Sequence, residues 1–305
     1  MLGPRFKKAR TGQFDVYKAL QEFQSRNRTV QEFNPNHDEK GRFTTGDGGA
    51  SGSSSSPKDS SGGSSSSDIR AKQNLIDSKL DSAVNLHGKP VKLSDENREA
   101  MSKGLNTIPQ EHLQNLNRVV IHDGSEIPLQ GAKNVNGLYA ESNLPNEVIS
   151  SINDRHGYDL KHRDLALATG RTPEQVYSST VHESAHVRWD NMKNFGTEED
   201  KQRVAAFADA HESYFKSASK NDIENFKNAY GHYGLPTGRD NDIDKQEAFT
   251  TMSQAYYGSP RDDTILRKQV GRDISGEEYL SEAETRWPRL KGLNEAFRKM
   301  IINTG

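Results

Sequence analysis

Residues 44–67 run Thr-Thr-Gly-Asp-Gly-Gly-Ala-Ser-Gly-Ser-Ser-Ser-Ser-Pro-Lys-Asp-Ser-Ser-Gly-Gly-Ser-Ser-Ser-Ser, with Ser and Gly at 17 of 24 positions and no large apolar side chain. No core can be built through such a stretch, because it has nothing to bury against the entropy of ordering it. The chain therefore divides into a first piece, residues 1–43, a disordered linker, residues 44–67, and one folded domain, residues 68–305. Random-coil scaling of about 5–6 Å × √n gives the linker an r.m.s. span near ~27 Å, which tethers the first piece without fixing its orientation. Hydrophobic residues make up 31% of the 305, too few for a chain folded throughout.

The first piece carries nine basic and five acidic residues, a net charge of +4. Phe14, Tyr17, Leu20 and Phe23 recur every three positions, which predicts a short amphipathic helix too small to bury a core alone and suited to docking on a partner. The stretch Phe33-Asn-Pro-Asn-His-Asp-Glu-Lys-Gly-Arg-Phe-Thr-Thr-Gly-Asp-Gly-Gly that follows resembles tails of bacteriophage head and portal-associated proteins. That resemblance implies capsid, portal or other virion proteins as partners of residues 1–43, and the host cytoplasm or the virion as location. The whole chain has a net charge of −2, so nucleic acid is not an expected partner. Basic residues near Met1 are not followed by an apolar run, and nowhere do 18 apolar residues occur together, so we read neither a secretory signal nor a membrane span. Without cysteine, disulfides, thiolate zinc clusters, iron–sulfur sites and cysteine nucleophiles are excluded.

The remaining sequence predicts an α+β domain, mostly helical. Helices are expected over 68–86 and 94–105, the second capped by Ser94. Residues 118–122, 137–140 and 147–152 read as short strands of a small sheet, separated by Asp-Gly, Asn-Gly and Pro-Asn turn signals. The best-marked helix begins at Thr172-Pro-Glu-Gln, where Pro at the first helical position and a Thr-x-x-Gln capping box coincide, and it stops near Gly196. Further helices are expected over 197–220, 221–229, 243–257 and 260–270, with two more after a Ser275-Gly-Glu-Glu capping box, interrupted at Trp287-Pro288.

Inside the well-capped helix stands Val181-His-Glu-Ser-Ala-His-Val. Residues i and i+4 lie one turn apart on a helix face, so His182 and His186 can converge on one metal ion while Glu183 lies beside them. Tyr177, Val181, Ala185 and Met192 form an apolar stripe expected to pack on the sheet, leaving the histidines to face a cleft. Imidazole donors suit Zn²⁺ better than Mg²⁺ or Ca²⁺, which prefer oxygen.

This His-Glu-x-x-His pattern resembles the zincin metallopeptidases, over roughly residues 116–258. The resemblance implies a small sheet ahead of the active-site helix, a helical C-terminal lobe behind it, a zinc ion, and Glu183 as general base toward a zinc-activated water. It also implies a third, downstream ligand. Trp189 and Met192 stand where the metzincin extension has Gly and His, so that branch is excluded. Glu247, in Gln-Glu-Ala-Phe-Thr-Thr, is similar to the third-ligand helix of gluzincins of the toxin and phage-encoded type, though Thr250 and Thr251 depart from that pattern. Asp190, Glu212, Glu198 and Glu199 remain rivals. Such peptidases place a donor near the developing oxyanion, which makes Tyr230 and Tyr233, in Tyr230-Gly-His-Tyr233, further catalytic candidates.

The leading expectation is a zinc-dependent endopeptidase acting on a protein or peptide substrate. The alternative is a non-catalytic virion structural or accessory protein with a structural zinc site, against which an intact Glu183 weighs, since a structural site has no use for a base.

Overall fold

A computed structural model describes residues 66–123, 136–237, 241–259 and 264–301. The basic arm, its short helix and residues 44–65 of the linker lie outside the described residues. Ser66 and Ser67, assigned above to the linker, are instead the first residues of a helix.

That helix, α1 (Ser66–Asp81), ends five residues earlier than expected and gives way to a two-residue strand, β1 (Val84–Asn85). Next come α2 (Asp95–Leu105), α3 (Gln110–Asn115), β2 (Arg118–His122), β3 (Gly137–Tyr139), α4 (Asn146–His156) and β4 (Asp164–Ala168). The helix that carries the histidine pair, α5 (Pro173–Asp190), continues as a π-helical turn, Asn191–Phe195. The C-terminal lobe consists of α6 (Glu198–Lys216), α7 (Lys220–Tyr230), α8 (Asn241–Tyr256), α9 (Leu266–Val270), α10 (Gly276–Arg286), a 3₁₀ turn at Pro288–Leu290, and α11 (Lys291–Ile301).

The fold is thus mostly helical with one small mixed sheet, ordered β1-β2-β4-β3. β1, β2 and β4 are parallel, and β3 runs antiparallel to β4 at one edge. One expectation fails here, and one strand went unmarked. Residues 147–152 are not a strand but part of α4, whose Val148 and Ile149 face inward and which Gly157 closes in the left-handed conformation at φ 67°. The missing central strand is β4, Asp-Leu-Ala-Leu-Ala, buried at every position. It lacks β-branched residues, so neither propensity nor alternation marks it.

Capping follows the sequence at α2, where Ser94 accepts from the Asn97 amide, and at α5, where Thr172 and Gln175 form the reciprocal box. At α10 the Ser275 side chain makes no cap bond, so that expected box does not form.

α5 is the shared wall of two cores. Val176 and Val187 pack with β2, β4, α1 and α2, whereas Ala185, Trp189 and Met192 pack with Phe207, Phe249 and Phe297 of the helical lobe. The expected single stripe is therefore split between two faces, and the helix is buried nearly all round. α2 approaches α5 so closely that a β-carbon on Gly104 would lie 2.5 Å from that of Thr180. Among the described residues no helix is long and apolar enough to cross a membrane.

Candidate metal centre

α5 and α8 lie antiparallel, and a ladder of contacts fixes their register. Tyr177 donates its hydroxyl hydrogen to the Tyr257 carbonyl at 2.6 Å. One rung along, the Gln254 amide nitrogen donates to the carbonyl of Ser178 at 3.0 Å and to its hydroxyl at 3.1 Å. Trp189 packs on Phe249 at the far end, ring centroids 5.7 Å apart. This register brings Glu247 over the histidine pair. The 60 residues between His186 and Glu247 include the π-turn, α6 and α7.

His182 Nε2 lies 3.3 Å from His186 Nε2, and each stands 3.4 Å from one oxygen of the Glu247 carboxylate. These three side chains form a group that could hold a metal ion. The spacing suits one: donors about 2.0–2.1 Å from a tetrahedral ion stand roughly 3.3–3.4 Å apart. Glu247 Oε2 is buried and accepts no hydrogen bond, a costly arrangement that a cation relieves. With the amide nitrogen of Gln254 committed to Ser178, its oxygen faces His182 Nδ1 at 3.2 Å. His182 therefore donates its Nδ1–H to that oxygen, which turns Nε2 toward the centre of the triad.

In the metal-free centre, burial would lower the basicity of His186, but the Glu247 carboxylate overrides it and raises the pKa to about 9. Burial would raise Glu247, yet the two imidazoles hold it well below its ordinary range. The half-buried Glu141, just after β3, is pushed up by burial, against the pull of His186.

The remaining candidates separate cleanly. Glu183 is buried on the same turn as the histidines and abuts β3, where a β-carbon on Gly137 would meet its Cγ at 2.5 Å. Tyr233 lies beside the centre, its ring 6.4 Å from that of His182. Tyr230 does not join them. It is a core residue of the helical lobe, and its hydroxyl donates to Asn294 Oδ1 at 2.7 Å, because the side chain leaves the last turn of α7 inward. The rival acids are occupied elsewhere: Glu198 by Lys201, Glu199 by Arg203, Glu212 by Lys245, and Asp190 by donors on and after β3. Gln254 escaped sequence reasoning, although at i+7 from Glu247 it shares the same face of α8 two turns on. Thr250 and Thr251, the departures from the gluzincin pattern, both donate to the Glu247 carbonyl, at 2.9 and 2.7 Å. Compared with protein-family models, curated proteins and solved structures, the chain matches none.

Proposed function

We propose that this chain is a zinc-dependent endopeptidase of the zincin kind, phage-encoded, and tethered to a virion assembly by residues 1–43. What carries the reading is Glu183, a carboxylate on the same helical turn as two histidines that close, with Glu247, into a triangle of zinc-sized spacing. Two imidazoles disfavour Mg²⁺ and Ca²⁺, and a carboxylate beside such a triad, on the helical turn of its histidines, is what hydrolysis requires. A bound zinc ion supplies positive charge that polarises a carbonyl and acidifies a neighbouring water.

The chain's own residues do the rest. Glu183 takes the proton from the attacking water and returns it to the leaving amine. Tyr233, packed beside His182, is the donor we assign to the developing oxyanion. Gln254 holds the His182 ring through Nδ1–H and so keeps Nε2 turned to the metal position. An extended substrate adds to the edge of β3, whose Gly137 touches Glu183.

Elemental analysis of protein purified without chelator should give one zinc per chain. Glu183→Gln should keep that zinc and lose roughly 10²–10⁴-fold in turnover of a peptide library. Absence of zinc, iron in its place, or near wild-type turnover in the variant would overturn the reading.

A further inference from the structure

Asp190 ends α5 one turn beyond His186 and is 2% exposed. Its carboxylate is fully engaged, and the donors are all neutral. Oδ2 accepts the Tyr139 hydroxyl at 2.8 Å and the Ser142 amide at 3.2 Å. Oδ1 accepts the Ser142 hydroxyl at 2.7 Å and the Asn194 amide at 2.6 Å, the last from the π-turn that prolongs α5. Burying a carboxylate among neutral dipoles is expensive, and an apolar junction would hold two elements together at less cost. What the carboxylate adds is direction, since three of its four donors belong to β3 and the residues just after it.

β3 needs such a device. It is three residues long and sits at the sheet edge. Flanking its antiparallel ladder with β4, the Asn136 carbonyl and the Ala140 amide and carbonyl also bond to the β4 side. By strand alternation the amides and carbonyls of Gly137 and Tyr139 point the other way, along the outer edge. The same alternation turns both residues' Cα–Cβ direction toward α5, where Gly137 meets Glu183 and Tyr139 meets Asp190. Burial first, then the Asp190 carboxylate, push the Tyr139 phenol far above its ordinary range, so it stays a donor.

We infer that Asp190 is a positioning residue: through Tyr139 and Ser142 it sets the height of the β3 edge over the metal centre, so that an extended peptide paired with that edge meets Glu183. This deepens the peptidase reading and rests on it.

The test compares two ligands of the zinc-loaded full chain by calorimetry: acetohydroxamate, which engages only the metal, and a tripeptidyl hydroxamate, which also needs the strand edge. Wild type should bind the peptidyl compound more tightly. Asp190→Asn should weaken the peptidyl compound by about tenfold or more while leaving acetohydroxamate within about twofold. Tyr139→Phe, which removes a single hydroxyl, should shift the same ratio in the same direction and serves if Asp190→Asn does not fold. Equal losses for both ligands, or no loss for the peptidyl one, would overturn the inference. Binding of neither ligand by wild type would instead sink the metal-centre reading and this inference with it. Binding of acetohydroxamate without any gain from the added residues would sink this inference alone.

Discussion

Gly137 and Glu183 touch with no room to spare: a β-carbon built on the glycine would come 2.5 Å from Glu183 Cγ and 2.8 Å from its Oε1. The strand that would hold the substrate and the carboxylate that would act on it are thus a single packing unit. Gly137→Ala should push the Glu183 side chain out of position while leaving the triad intact. The expected outcome is unchanged metal content with a fall in kcat of about 10-fold or more, given how steeply catalysis depends on ångström-scale placement. Loss of metal instead would place the fault in α5 itself.

Glu247 and Gln254 lie on one face of α8 but stand at different distances from the position a metal ion would take. Removing Glu247 deletes a donor, whereas removing Gln254 frees the His182 ring to rotate or change tautomer. Outer partners of this sort are worth about 10–100-fold in metal affinity. Gln254→Ala should fall in that range, Glu247→Ala should exceed it, and Glu212→Ala and Glu198→Ala should leave affinity unchanged. Chelator competition ranks the four variants, and any other order would displace Glu247 from the triad.

The triad was legible from sequence because its signals are local: a capping box that fixes α5, an i, i+4 histidine pair on it, and an acid on a second helix. What stayed hidden was long-range. β4 reads Asp-Leu-Ala-Leu-Ala, and only pairing on both sides makes it a strand. Residues 147–152 carry β-favouring side chains, yet the helical start at Asn146 and the left-handed Gly157 decide the local fold. Asp190 shares a helix face with both histidines, and nothing in the sequence says that β3 crosses its end and takes up its oxygens. Tyr230 and Tyr233 are three residues apart beside one glycine, and only the direction of the last turn of α7 sends one to the core and the other to the centre.

On the peptidase reading, that pair of tyrosines should separate stability from activity. Tyr230→Phe removes the donor to a buried Asn294 oxygen and should cost about 1–3 kcal/mol of unfolding free energy. Its turnover per folded molecule should match wild type. Tyr233→Phe should unfold normally and lose turnover. Denaturant midpoints alongside kcat check both, and a catalytic defect in folded Tyr230→Phe would return that residue to the active site.

The last prediction concerns pH. In the metal-free protein His186 has a pKa of about 9 against an ordinary 6.5, because Glu247 outweighs the opposing effect of burial. A raised folded-state value stabilises the fold fully below pH 6.5, and that stabilisation fades as pH climbs through about 9. Glu247 is depressed instead, so its contribution is present above 4.5 and fades as pH falls toward its lowered value. Between them the pair makes the metal-free fold most stable from about pH 5 to 6.5. Metal binding reverses the preference, since imidazole must be deprotonated to coordinate. A cation entering the triad expels the His186 proton, so metal affinity should rise about tenfold per pH unit up to about pH 9 and then level off. Competition titrations at pH 6, 7 and 8, corrected for the chelator's own protonation, give the slope, and thermal melts of the metal-free protein over the same range should trend the opposite way. A pH-independent metal affinity would mean that His186 carries no proton in the empty triad.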